Sequence, residues 1–189
     1  MIERPGPWSQ TFTGKRWFPL APQPSDVCIE DIAHALSMLC RFGGHTTRFY
    51  SVAQHSHWVS FYVPEPLALH GLLHDAAEAY VGDMVDPLKR AMRTRTVNFD
   101  LLEQDAAFMI ARKFGLRKLT LEEFNEVKHA DLVALVTERR DLLLGTNHAW
   151  QDYVEAIAPD DEEISPWSPA AAESVFLDRF HELTAGSRR

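Results

Sequence analysis

The chain has 189 residues, 46% hydrophobic and 24% charged, which suits one globular domain with a full-sized core. Its 19 basic and 27 acidic side chains leave a net charge of −8, which argues against a general binder of nucleic acid or of anionic membranes. No apolar run approaches the roughly 20 residues of a membrane span. The N-terminus has no signal-peptide core, and Cys28 and Cys40 do not form a CxxC pair. Reduced thiols and a cytoplasmic location are therefore expected.

Residues 1–27 carry Pro5, Pro7, Pro19, Pro22 and Pro24, with Trp8, Phe12, Trp17 and Phe18 between them. This reads as an irregular arm, too aromatic to be a solvated tail, that packs on the body. Helices follow. Ser25 or Asp26 can cap a first helix through Arg41, closed by Gly43 and Gly44, with both cysteines on it. Ser51 opens a second, which runs to Tyr62 and stops before Pro64. A third spans Pro66 to Gly82. Asp86 and Pro87 start a short basic helix, with proline at a favourable first position. Val97 to Phe114 is amphipathic and ends at Gly115. Thr120 and Glu123 form a capping box, and their helix runs to Leu144. Ser168 and Pro169 open the last helix, to Leu183. Residues 145–167, rich in acids and prolines, are the longest connection. Strand-like alternation is absent, so the expectation is a single all-α domain over residues 1–189.

The chemistry concentrates in the third helix, in the stretch from His70 through His74, Asp75 and Glu78 to Asp83. A helix advances about 100° per residue, so His74 and Asp75 point to neighbouring sectors, close enough to grip one cation. His70, His74 and Glu78 recur at helical spacing and read as one stripe. Leu69, Leu72, Leu73, Ala76, Ala77 and Tyr80 fill much of the remaining circumference, so the helix is expected to be buried. A buried carboxylate is costly unless it is paired or binds metal. On the second helix, Val52, Trp58, Val59 and Tyr62 fall within about 60° of His55, which centres the apolar face, and His57 falls on the opposite, solvent side. On the Thr120 helix, Asp131 sits in a stripe with Phe124, Val127, Leu135, Glu138 and Leu142. Arg139 and Arg140 point away from it, so Asp131 reads as a ligand rather than a salt-bridge acid. His55, His74, Asp75 and Asp131 make a mixed nitrogen and oxygen set, suited to Mn, Fe, Co, Ni or Zn with positions left open. His45, in the Gly-rich loop with Arg48, is a rival to His55. His34, His129, His148 and His181 read as surface or structural. Lys89, Arg90, Arg93 and Arg95 form a local basic patch, of which the last three read equally well as a solvated face.

These residues resemble the HD-domain metal-dependent phosphohydrolases, which carry His…His-Asp…Asp on successive helices. The stretches from Ser51 to Ser56 and from His74 to Lys89 are similar to bacterial HD-domain 5′-deoxynucleotidases and to small viral dATP triphosphohydrolases; the similarity runs from Arg41 to Asp141. The resemblance implies an HD-type helical bundle and a divalent metal ion (Mn, Co, Fe, Ni, Zn or Mg) held by His55, His74, Asp75 and Asp131. It implies that Glu78 positions or deprotonates the attacking water, or helps hold a second metal. Asp83 would assist leaving-group protonation or substrate binding. Arg41 and Lys89 would meet phosphate. Phe42 would pack on the sugar, where the deoxynucleotidases carry Trp. The implied activity is hydrolysis of the 5′ phosphate ester of small (deoxy)nucleoside monophosphates by a homo-oligomer, a dimer or higher, with no nucleic-acid polymer or membrane as partner. Cleavage of the same bond in a deoxynucleoside triphosphate, hydrolysis of an alarmone or cyclic nucleotide, and a non-catalytic nucleotide- or metal-binding module are the alternatives.

Overall fold

A computed structural model of the chain describes residues 4, 6–93, 99–146 and 148–185. Arg95, in the expected basic patch, and Val97, the expected start of a helix, lie outside them. The fold is all-α, apart from one small hairpin in the N-terminal arm.

That hairpin corrects the expectation that strands are absent. β1 (Ser9–Gln10) pairs antiparallel with β2 (Arg16–Trp17), Ser9 opposite Trp17, around a turn at Gly14 with φ 83°. Two residues are too few for alternation to be visible in sequence. The arm packs on the body as its aromatics suggest. Trp17 and Phe18 are buried, and Trp17 stacks on Tyr80 at 4.1 Å. Thr13 donates from its backbone N–H and its hydroxyl to the buried Asp31 carboxylate, at 2.7 and 3.0 Å. Trp8 and Phe12 stay largely exposed, the latter stacked on His34.

Helix α1 (Ile29–Met38) starts later and ends earlier than expected. Asp26 does not cap it: its carboxylate is taken by Arg4 and by the Gln23 N–H, which closes a separate 3-10 turn over Pro24–Asp26. After Met38 the backbone extends. The Val52 N–H donates to Leu39 O at 3.1 Å and the Arg41 N–H to Tyr50 O at 2.9 Å. Cys28 is therefore the residue before α1 and Cys40 lies past its end, both as free thiols. Arg41 leaves the helix altogether and opens a 3-10 turn, Arg41–Gly44.

Helix α2 (Val52–Tyr62) begins where expected. The Ser51 hydroxyl accepts the Gln54 N–H at 3.2 Å, a cap of about 1 kcal/mol. It is the central helix, packed against α1, α3 (Ala68–Leu72), α7 (Leu121–Leu142) and α9 (Pro169–Ala185). Gly71 permits the close approach of α3: a Cβ there would meet Val59 O at 3.0 Å and Ser60 Cα at 3.1 Å. The remaining helices are α4 (Glu78–Val81), α5 (Asp86–Arg93), α6 (Phe99–Phe114) and α8 (Asp152–Glu155). The Thr120–Glu123 capping box is formed, but α7 stops at Leu142 rather than Leu144. The short α8 interrupts the 145–167 connection, and the buried Gln54 side chain clamps that connection by hydrogen bonds to Ser165 O and the Trp167 N–H. The main core gathers Ile32, Leu36, Val52, Leu72, Ile110 and Phe176. No helix among the described residues is long and apolar enough to cross a membrane.

The largest departure lies at His74 and Asp75. The expected continuous helix from Pro66 to Gly82 is broken into α3, a run of tight turns over residues 73–77, and α4. Hydrogen bonds there span three residues instead of four, as from Ala76 N–H to Leu73 O and from Glu78 N–H to Asp75 O. Three-residue turns advance the chain by a different angle from an α-helix. His70, His74 and Glu78 accordingly do not share one stripe: His70 faces the charges of Arg117 and Glu123 instead.

Candidate metal centre

Three segments bring ligating atoms together: α2 supplies His55, the tight turn after α3 supplies His74 and Asp75, and α7 supplies Asp131. The His55 and His74 Nε2 atoms lie 3.2 Å apart. Asp131 Oδ1 is 3.2 Å from His55 Nε2 and 3.7 Å from His74 Nε2. Asp75 Oδ2 is 3.1 Å from His74 Nε2 and 3.5 Å from His55 Nε2. His55, His74 and Asp131 each offer one atom within 4.8 Å of the others, a group that could hold a metal ion.

The far sides of both imidazoles are committed. The His74 Nδ1–H donates to the Gly71 carbonyl at 2.8 Å, an atom that can only accept. The His55 Nδ1–H donates to Glu138 Oε1 at 2.6 Å. Each ring is thus fixed with Nε2 turned to the common point, the arrangement by which outer hydrogen bonds orient metal-binding histidines. Glu138 is fully buried and also accepts the Arg41 Nε–H at 3.0 Å. Arg41 reaches on to Asp75, its Nη1 3.6 Å from Oδ2.

Burial opposes charge on His74, but Asp75 and Asp131 outweigh it and hold the imidazole up at about 10. Burial and the Arg41 charge press His55 toward neutrality; Glu138 and Asp131 overcome both and raise it. Burial works against the Asp75 and Asp131 carboxylates, and the two imidazoles still hold both below the usual carboxylate range. Positive charge is what this pocket is built to receive.

The sequence-read residues divide accordingly. Glu78 is buried beside the cluster, its Oε2 without a hydrogen-bond partner among the described residues. Burial, then the Asp75 and Asp83 charges, push Glu78 up to about 10, with Arg41 and Lys89 pulling the other way. Asp83 is half-buried, raised by burial and by Asp75 against Arg41 and Lys89. Lys89 does not stand free for phosphate: its Nζ is 2.6 Å from Glu103 Oε1 and 3.8 Å from Glu78 Oε1. Phe42 takes a left-handed conformation, φ 55°, uncommon for a residue with a Cβ. Its ring lies 5.5 Å from the Arg41 guanidinium and 6.4 Å from the Trp150 ring. His45 and Arg48 are exposed in the loop and outside the cluster.

Three further corrections concern neighbours. Asp131 does have a basic partner, Lys128, one turn earlier on α7 and 2.7 Å from Oδ2, although Arg139 and Arg140 point away from it. Phe124, placed in the same stripe, is 53% exposed, because α2 and α3 cover α7 only from Val127 onward. His57 is not solvent-facing: it packs on Trp167 and Phe61, under α9. Arg90 and Arg93 pair with Asp86 and Asp100 on an exposed face, as the solvated reading has it. Glu138 was legible as a member of the Asp131 stripe, but its bond to His55 depends on two helices meeting. Concavities of about 300 Å³ beside Phe12 and His34, and of about 680 Å³ beside Tyr62 and His129, lie away from the cluster.

No family model matches the chain. It is 38% identical over 175 residues to the uncharacterized protein YfdR of Escherichia coli strain K12, an alignment that spans 93% of this chain and 94% of that protein. The chain belongs to the YfdR family. A second relative of this YfdR-family chain, the uncharacterized protein RCAP_rcc00048 of Rhodobacter capsulatus, is 40% identical over 102 residues, 49% of this chain and 52% of that one.

Proposed function

We propose that the chain is a metal-dependent phosphohydrolase of small nucleotides that cleaves the 5′ phosphate ester of (deoxy)nucleoside monophosphates. One observation carries the reading: two imidazole Nε2 atoms and the Asp131 carboxylate form a group that could hold a metal ion, Asp75 Oδ2 lies within 3.5 Å of both nitrogens, and the buried Glu78 has an Oε2 without a hydrogen-bond partner among the described residues. A structural site has no use for such a carboxyl. The donor set, two nitrogens and two oxygens, fits a divalent cation of the Mn, Fe, Co, Ni or Zn kind.

A divalent cation held there supplies a Lewis acid and lowers the pKa of bound water toward neutrality. His55, His74, Asp75 and Asp131 hold it, and Glu138 and the Gly71 carbonyl keep the two rings aimed. Glu78 exchanges the proton of the attacking water at its free Oε2. Burial does most to raise Glu78, and Asp75 is the carboxylate that adds most to it, so the charge on Asp75 bears on the proton that Glu78 holds. Arg41, buried and held by Glu138 and Asp75, offsets charge on the phosphoryl oxygens. Asp83, whose charge acts on Glu78, gives a proton to the leaving oxygen in this reading. Phe42 and Trp150 offer ring surface next to Arg41 for the sugar.

Cleavage of the same ester in a deoxynucleoside triphosphate is the second reading, since the cluster engages the phosphorus nearest the sugar in either case. The test is turnover by the metal-loaded chain against matched mono- and triphosphates, dAMP and AMP, dATP and ATP, with the released phosphate species identified. Free nucleoside with orthophosphate bears the proposal out. Nucleoside with triphosphate selects the second reading. Nucleotide binding without turnover would make the chain a sensor module.

A further inference from the structure

We propose that Lys128 is a second cation, beside Arg41, that contacts the phosphate at this centre, in the role the resemblance gives to Lys89. The inference rests on the phosphohydrolase reading above.

A phosphoryl group needs positive charge that is not already spent on the protein. Arg41 is buried and shared between Glu138 and Asp75. Lys89 is held between Glu103 and Glu78, and its side chain is only 16% exposed. Lys128 is paired as well, but at the surface and to one carboxylate rather than two. Its side chain is 59% exposed, and Asp131 is its ion-pair partner among the described residues.

The partner is what matters. Asp131 divides its two oxygens, Oδ1 inward to His55 and His74 and Oδ2 outward to Lys128 Nζ. The ammonium therefore sits on the solvent side of a ligating carboxylate. Asp75 and Asp86 also act on its charge. A cation that draws on the Asp131 carboxylate weakens its hold on Lys128. The lysine then has a flexible four-carbon stem and three donors to offer an anion arriving at the same point. Arg41 approaches from the Asp75 and Glu138 side and Lys128 from the Asp131 side, so the two cations would flank a phosphoryl group rather than duplicate each other. The signal in the sequence is the spacing of Lys128 and Asp131, three residues apart and hence on one helix face.

The experiment uses the full chain loaded with Mn²⁺, and follows binding of inorganic phosphate by calorimetry in wild type, Lys128→Met, Lys128→Arg and Lys89→Met, with metal content and nucleotide kcat/KM measured alongside. Lys128→Met is expected to keep its Mn²⁺ and to bind phosphate about 10–100-fold more weakly, with kcat/KM reduced alike for every base. Lys128→Arg should recover part of both. If Lys128→Met loses Mn²⁺ while its loaded fraction binds phosphate normally, the lysine only positions Asp131 and the proposal fails. It fails equally if Lys89→Met carries the phosphate loss, or if Lys128→Met matches wild type in a chain that turns over nucleotides. A wild type that binds no phosphate and hydrolyses no nucleotide would instead overturn the phosphohydrolase reading, and this inference with it.

Discussion

His55 and His57 stand two residues apart on α2, both withdrawn from water, and they end in opposite states. His55 faces Glu138 and Asp131 and is raised despite full burial and the nearby Arg41. His57 faces the rings of Trp167 and Phe61 and the Arg179 charge; burial first, then Arg179, lowers it to about 4. Burial does not decide what an ionisable group becomes; the partner it is buried against does. Glu78 extends the same lesson to an acid. It is buried against other carboxylates, and it is pushed up where Glu138, buried against Arg41 and His55, is held down.

The comparison breaks most completely when the inward face of α2 loses its chemistry. His55→Ala or His74→Ala should abolish both bound metal and hydrolysis, read by metal analysis and turnover. Full metal occupancy in either variant would remove these residues from the centre. Glu78→Gln comes next. It should keep the metal and lose about 10²–10⁴ in rate, the scale of a general acid-base group. Normal turnover in that variant would move the proton-handling role to Asp83.

A smaller effect is expected from Glu138→Gln, which leaves the shape and removes the charge that holds His55 and Arg41. Metal affinity should fall about 10–100-fold, measured by competition with a chelating dye. An unchanged affinity would mean that His55 is aimed by packing alone.

The smallest effect lies on the other face of α2. The folded His57 has its pKa near 4 against an ordinary 6.5, so between those values the unfolded chain takes up a proton that the folded chain refuses. Stability should therefore be lost as pH falls from 6.5 toward 4, and the His57→Leu variant should lack that part of the slope in urea unfolding. Parallel slopes in the two proteins would show that His57 protonates freely in the fold.

How much was legible follows from the kind of signal each residue carries. Ser51 and the Thr120–Glu123 box are local chemistry, and α2 and α7 start at them. His55 and Asp131 stand out because a polar side chain in an apolar helical stripe is visible from spacing alone. The break at His74 and Asp75 was not visible. Leu69 to Tyr80 has helical composition throughout, whereas the break goes with a close approach of Gly71 to Val59 and Ser60 on α2 and with a local bond from His74 to the Gly71 carbonyl.

What the sequence determined by itself, then, is an all-α fold, the starts of α2 and α7 at their caps, and the placing of His55 and Asp131 on apolar helix faces, because these depend on residues within a few turns of one another. What the tertiary structure decided is the pairing. Glu138 aims His55 across 83 residues of chain. Lys89 is taken by Glu103 and Lys128 by Asp131. His57 turns inward because α9 closes over it with Trp167 and Arg179. Charge acts over a few ångströms whatever the sequence separation, and only the packing of distant helices determines which charges meet.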